Sequence, residues 1–231
     1  MTGSQQTDGR ARRWAAHRQQ RRAELVDAAV AAIEAAGIDV GFDAIAEQAG
    51  VSRTVLYRYF DSRDELQVAV AQRAVELLLA KLTRPLHSGA APRSLITSLV
   101  RAHVRWLDEH PELYRLIATR SAAVPAGREA FTAGEKLFAA QLADLLGHYM
   151  TLLGVADDAL EPIAYGLIGM VEAAGDWWVR RHELGDRRLI GQRRLVESLG
   201  DSIWYVIDGH LRARGVELDP DRPLPTGGDD D

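Results

Sequence analysis

Residues Gly41 to Leu66 read GFDAIAEQAGVSRTVLYRYFDSRDEL, and this stretch decides the fold. Two apolar-periodic runs flank a tight turn at Ala49-Gly50-Val51: Phe42, Ile45, Ala46 and Ala49 before it, then Val51, Val55, Leu56 and Phe60. Gly50 suits the positive φ that ends a first helix, since it has no Cβ to clash there. Ser52 follows as an N-cap whose hydroxyl is placed to accept from the N–H of Thr54 or Val55, so a second helix starts at about Arg53. That helix turns its apolar residues inward and presents Arg53, Thr54, Tyr57, Arg58 and Tyr59 to solvent. Asp61 to Leu66 then contains S-x-x-E, a capping box in which Ser62 caps a third helix and Glu65 reaches back to the Ser62 N–H. Two short helices around a tight turn are the grammar of a helix-turn-helix.

The exposed residue types suit a phosphate-lined groove. Arginine pairs bidentately with guanine in the major groove, threonine touches a thymine methyl, and tyrosine hydroxyls bond phosphate oxygens. The chain contains no asparagine, so adenine recognition by an asparagine fork is excluded. Gln48 and shape readout are left for that task. Taken alone, Tyr57 and Tyr59 would serve equally well in a packed connector between longer helices.

The run IAEQAGVSRTVLYRYFDSRDEL, from Ile45 to Leu66, resembles the N-terminal signature of TetR-family transcriptional regulators. Its I-A-x-x-A-G-V-S turn, its Y-x-x-F recognition-helix end (Tyr57 to Phe60) and its S-R-x-x-L helix start (Ser62 to Leu66) all match that signature. The resemblance implies that Ser52, Tyr57, Tyr59 and Arg63 contact phosphates, with Arg53, Thr54 and Arg58 nearer the base edges. It departs from the family pattern at Gly41, where a serine or threonine is usual, and at Arg63, where a lysine is usual. Glycine still serves as an N-cap, at a cost of a few tenths of a kcal/mol.

The 231 residues carry a net charge of -5, an odd balance for a DNA binder until its distribution is read. Arg10, Arg12, Arg13, Arg18, Arg21 and Arg22 face one acid, Asp8, in the first 22 residues, whereas Glu217, Asp219, Asp221 and Asp229 to Asp231 make the other end acidic. Such asymmetry hints at a basic nucleic-acid arm on an acidic remainder. The alternative is a merely solubilising extension. Arg21 and Arg22, at the start of the first helix and close to the reader, are the better candidates for DNA contact. The absence of cysteine excludes disulfides, thiolate nucleophiles and cysteine metal sites. No apolar segment precedes Leu25 and no window approaches a membrane span, so a cytoplasmic location away from membranes is expected.

Helical periodicity runs through the rest, with no alternating strand pattern. The expected helices lie near 21–36, 42–49, 53–60, 63–82, 93–109, 111–119, 127–153, 160–183 and 187–212. This is an all-α chain: a basic flexible arm at 1–19, a three-helix DNA-binding domain at 20–66, a helical ligand-binding and dimerisation domain at 67–212, and an acidic flexible tail at 213–231. By the family's architecture the last two helices pair with their two-fold copies. Ile163, Leu167, Val171, Ala174, Trp178, Val196, Leu199, Ile203, Val206 and Ile207 are the expected interface, with Gly166 and Gly169 permitting close approach. The helices that surround the family's effector pocket carry His103, Trp106, Leu107, Tyr114, Ile117, Arg120, Phe131, Phe138, Leu142, Tyr149, Met150, Tyr165, Met170, Glu172, Asp176 and Trp177. Mostly apolar residues with a few polar groups suit a small hydrophobic effector, although each aromatic singly is better explained by core packing.

No catalytic, metal or cofactor site is expected. The seven histidines are scattered without H-E-x-x-H spacing, and no G-x-S-x-G, P-loop or G-x-G-x-x-G is present. The partners expected are double-stranded operator DNA, a small-molecule effector and a second copy of the chain, acting together as a ligand-responsive repressor. Two other readings stay open: a helical lipid-binding module or enzyme with a vestigial reader, and a transcriptional activator.

Overall fold

The structure is a computed structural model that describes residues 3–86, 88–123, 125–155, 160–185 and 190–223. These form nine α-helices and no strand: α1 (Gly3–Ala36), α2 (Phe42–Gln48), α3 (Arg53–Tyr57), α4 (Arg63–Leu86), α5 (Pro92–Glu109), α6 (Pro111–Ala123), α7 (Pro125–Leu152), α8 (Leu160–Glu183) and α9 (Gln192–Arg212). Several boundaries differ from the sequence expectation. Helix α1 reaches back to Gly3, through the segment expected as a flexible arm. Glutamine, arginine and alanine there are good helix formers, and the turns are continuous with the amphipathic part from Leu25. Helix α4 runs past Leu82 with Pro85 inside its last turn, where the ring removes one intrahelical hydrogen bond and the helix ends one residue later. Helix α6 continues beyond Thr119, and α9 starts only after its cap at Gly191.

Two compact units emerge. The first takes Met1–Val75 and Glu112–Phe131, the second Glu76–Pro111 and Thr132–Asp231. Helix α6 and the start of α7 thus group with the reader, where a domain break at 66 was expected. Helix α4 belongs to both units.

The first unit's core is made by Leu25, Ala29 and Ile33 of α1, Leu56 and Phe60 around α3, Leu66 and Val70 of α4, and Leu113 and Leu116 of α6. Helices of seven and five residues are far too short to persist alone, so α2 and α3 exist because these longer helices bury their apolar faces. In the second unit α5 packs against both α8 and α9. Val100, Val104 and Leu107 of α5 are buried, as are Leu167 and Trp178 of α8 and Leu199, Ile203 and Trp204 of α9. Close approach is needed at Gly175: a Cβ there would lie 2.7 Å from Leu107 Cδ1 and 3.3 Å from His103 Nε2.

Part of the acidic end, expected as a flexible tail, is held in place. The Arg93 N–H donates to the Pro220 carbonyl (2.9 Å), and the Arg93 guanidinium pairs with Asp201 (3.1 Å) and Asp221 (3.3 Å), pinning 219–221 over the start of α5. Residues 224–231 lie outside the described residues.

Candidate nucleic-acid interface

Gly50 takes φ +63°, as its place after α2 requires. Its N–H donates to Glu47 O (3.0 Å) and the Val51 N–H donates to Ala46 O (2.9 Å), closing α2 and turning the chain into α3. Ser52 holds the extended N-cap conformation, yet its hydroxyl makes no capping bond. The Val55 N–H donates instead to the Ser52 carbonyl (2.9 Å), which leaves the hydroxyl exposed and available to another acceptor or donor. Arg53, Thr54, Tyr57 and Arg58 are exposed on α3 and Gln48 on α2, while Tyr59 is half-buried. Gly41 caps α2 in extended geometry with nothing near the position of a missing Cβ.

The arginines divide sharply by whether they already have partners. Arg53 pairs with Asp43 of α2 (3.0 Å), donates to the Tyr57 hydroxyl (3.2 Å) and stacks over the Tyr57 ring. The Tyr57 bond, then Asp43, hold its guanidinium above the ordinary arginine range. Tyr57 itself rests against Phe42, ring centroids 5.0 Å apart, so it both packs and presents its hydroxyl. Arg63 donates to the Ile38 carbonyl (3.1 Å), with Asp39 at 3.8 Å. Arg22 lies over the buried Phe60 ring (4.7 Å) and pairs with Glu65 (3.2 Å); Arg21 pairs with Glu24 (2.6 Å). Of the residues expected to touch DNA, Arg22 and Arg63 therefore hold the reader together in the free protein. The Arg18 and Arg58 guanidinium groups have no hydrogen bond or ion pair to any described residue.

The capping box forms in altered register. The Glu65 N–H donates to Ser62 Oγ (3.1 Å), but Glu65 Oε2 accepts from the Asp61 N–H (2.7 Å) rather than from Ser62. Its other oxygen takes Arg22, so Glu65 ties three elements at once.

One support is not visible in the motif. The turn after α1, with Gly37 at φ +87°, carries Ile38, whose N–H donates to Glu112 Oε2 of α6 (3.3 Å). The Ile38 carbonyl accepts from Arg63 and from Gln67 Nε2 (3.1 Å), and Gln67 is buried. Glu112 in turn accepts from Arg115 (2.7 Å). The sequence reading missed this clamp, and Gln67, a glutamine on the inward face of α4, is the one signal that could have found it.

The residues expected around an effector are spread over both units. Tyr114, Ile117 and Phe131 fall in the first unit; the Arg120 side chain lies outside the described residues. In the second unit His103, Trp106, Leu107 and Met150 are buried, and Phe138, Leu142, Tyr149, Tyr165, Met170, Glu172 and Asp176 half-buried. Trp177 is a correction: it is 42% exposed, with Arg181 over its ring. Asp176 pairs with Arg180 (2.7 Å). Burial pushes the His103 imidazole down to about 4, and burial with the Glu135 charge pushes the Glu172 carboxyl up to about 7. At neutral pH His103 is therefore uncharged and Glu172 is about half protonated.

Five residues expected at a dimer interface, Leu167, Trp178, Val196, Leu199 and Ile203, are buried within the chain, because α5 occupies the inner faces of α8 and α9. Ile163, Val171, Ala174 and Ile207 are half-buried, and Val206 is exposed. Gly166, Gly169, Ala173 and Trp177 form one exposed line along α8, matched on α9 by Tyr205 (70% exposed), Val206 and Gly209.

Among the described residues no acid, histidine or cysteine cluster could hold a metal ion, and no helix is long and apolar enough to cross a membrane. The family model "Bacterial regulatory proteins, tetR family" matches residues 25–70, and "Tetracyclin repressor-like, C-terminal domain" matches 81–213. The chain is 32% identical over 222 residues to the uncharacterized HTH-type transcriptional regulator Rv0472c of Mycobacterium tuberculosis, covering 95% of this chain and 92% of that one. It is 36% identical over 101 residues to the HTH-type transcriptional activator FasR of Mycolicibacterium smegmatis, covering 43% and 46%. A TetR-like transcriptional regulator from Rhodococcus sp. RHA1 shares the fold with a TM-score of 0.57 at 25% identity, over 82% of this chain and 96% of that one. A helix-turn-helix with an exposed basic and hydroxylic face, joined to an all-helical body and matched along both parts, places the chain in the TetR family of transcriptional regulators.

Proposed function

We propose that the chain is a homodimeric, ligand-responsive repressor that releases a roughly palindromic operator when a small apolar effector enters the second unit. The observation that carries this reading is the exposed set Ser52, Arg53, Thr54, Tyr57 and Arg58 on one helix-turn-helix, chemistry fitted to phosphates and base edges. Two copies of α3 would enter successive major grooves. The open line on α8 and the exposed Tyr205 and Val206 of α9 supply the apolar surface for pairing, with the two glycines allowing backbones to come close. Effector and operator prefer different conformers, a coupling of about 1 to 3 kcal/mol, and α4, about 36 Å long and part of both units, carries the change. Selection of bound duplexes by the purified protein gives the operator. The reading predicts a pseudo-palindromic site and a cognate ligand that weakens binding to it. A saturating ligand that leaves operator affinity unchanged overturns the repressor mechanism.

A second reading has its own support. The likeness to FasR, named as an activator, favours activation at some promoters. A reporter in a strain lacking the gene separates the two: output rises on deletion for a repressor and falls for an activator.

A further inference from the structure

The reading surface does not stop at α3. His17 and Arg18, three and four residues after Trp14 in the fourth and fifth turns of α1, share one face of that helix with it, and the three line a groove with Arg58 and Tyr59 at the end of α3. The groove is open to solvent and measures about 410 Å³.

Three observations bear on its occupant. First, among the described residues the lining holds two guanidinium groups, an imidazole, an indole and a phenol, and no carboxylate. Second, Arg18 and Arg58 are unspent charges, whereas Arg21, Arg22, Arg53 and Arg63 are each held by an acid or a carbonyl. Third, core packing does not account for this part of α1: residues 14–20 are all exposed, and Trp14 is 72% exposed. An indole left in water beside two free arginines and next to the recognition helix is complementary to a polyanion with apolar sugar edges.

We propose that Trp14, His17 and Arg18 form, with Arg58 and Tyr59, a second seat for duplex DNA, gripping the sugar-phosphate strand that flanks the base pairs read by α3. This rests on the reading of α3 as the DNA reader and lengthens its footprint. Phosphate contacts fix register and add affinity without adding sequence information. The seat therefore strengthens binding to selected and random duplexes alike, and it demands DNA beyond the operator core.

The test compares the full chain with its W14A/H17A/R18A variant and with Thr54→Ala, after thermal melting shows each to be folded. Binding is measured across a salt series on a selected operator and a random duplex, and on operators whose flanks are trimmed stepwise. The expected result is roughly tenfold weaker binding of the triple variant to both sequences and a salt slope shallower by about one to two. Trimming flanks should weaken the wild type and Thr54→Ala but leave the triple variant unaffected. If the triple variant keeps the wild-type slope and flank dependence while Thr54→Ala loses sequence preference, the second seat is wrong and the reading by α3 stands. If no variant and no wild type binds duplex DNA at low salt, the reader itself is wrong. Inorganic phosphate, titrated as a probe of a small-anion site, should bind no more tightly than millimolar; tight phosphate binding lost in the triple variant with DNA affinity unchanged would also overturn the proposal.

Discussion

The two units differ in where the polar chemistry of their candidate sites lies. In the reading unit it lies at the surface, on short elements held by long ones: Arg53 on Asp43 and Tyr57, Arg22 on Phe60 and Glu65, Arg63 on the Ile38 carbonyl. In the second unit it lies in the body, as the buried His103 and the half-buried Glu172. A surface contact is exchanged for a ligand at little cost, since exposed ion pairs are worth only about 0 to 1 kcal/mol. A buried group instead sets the charge state and polarity of the space around it. The first arrangement suits a head that trades Asp43 for a base or a phosphate, the second a body that selects an uncharged or apolar occupant.

The largest effect should come from the part of the reader that holds rather than reads. Phe60→Ala removes a ring with no exposed area beneath Arg22 and should cost about 3–5 kcal/mol of stability, read by chemical denaturation. If the two units behave as separately as their cores suggest, the second unit's tryptophan fluorescence transition survives; a single shared loss would break the comparison. Next, Arg53→Ala should relax preference at one base-pair position by about 1–3 kcal/mol, seen as a flattened column in selected sequences. Equal weakening on every sequence would assign Arg53 to phosphate instead.

The buried polar groups predict a pH signature with two opposed slopes. The Glu172 carboxyl, raised from 4.5 to about 7, keeps a proton in the folded chain that the unfolded chain has released, so its contribution falls as pH rises from 4.5 through 7. His103, lowered from 6.5 to about 4, is neutral in the folded chain while the unfolded chain takes up a proton, so stability falls as pH drops from 6.5 toward 4. Glu172→Gln should remove the first slope only, gaining roughly 1–3 kcal/mol at pH 8 and little near pH 4.5, measured as melting temperature against pH. A parallel shift at all pH values would mean that Glu172 is not held neutral. The smallest effect is at Gly41, where a Cβ meets nothing. Gly41→Ser should add a few tenths of a kcal/mol through a side-chain cap on α2 and strengthen operator binding slightly; lost affinity would show that the groove needs the bare backbone there.

The reader was legible because its signals are local. A positive-φ glycine at 50, a capping serine at 62 and the burial of Leu56 and Phe60 all follow from spacing within about a dozen residues. Local signals misplaced finer bonds: Ser52 caps through its carbonyl rather than its hydroxyl, and Glu65 reaches Asp61 rather than Ser62. The second unit was legible only as helices. Residues such as Leu167, Trp178 and Ile203 were expected to face a second copy, but α5 takes that face, and the helix periodicity of α8 and α9 carries no record of which neighbour covers which side. Trp177 and Tyr205, one residue away from a buried neighbour in each case, turned outward for the same reason.

The sequence by itself determined that the chain is helical, where its turn lies, and which residue types a groove would meet, since caps, glycines and apolar spacing act between near neighbours. Only the tertiary structure decided which arginines are spoken for. Asp43, Glu65 and the Ile38 carbonyl bind three of them across elements, Glu112 of α6 joins that clamp, and Arg18 and Arg58 are left open beside Trp14. A charge states its reach along the chain, but whether it is already satisfied depends on groups that folding brings within about 3 Å, and those come from distant parts of the sequence.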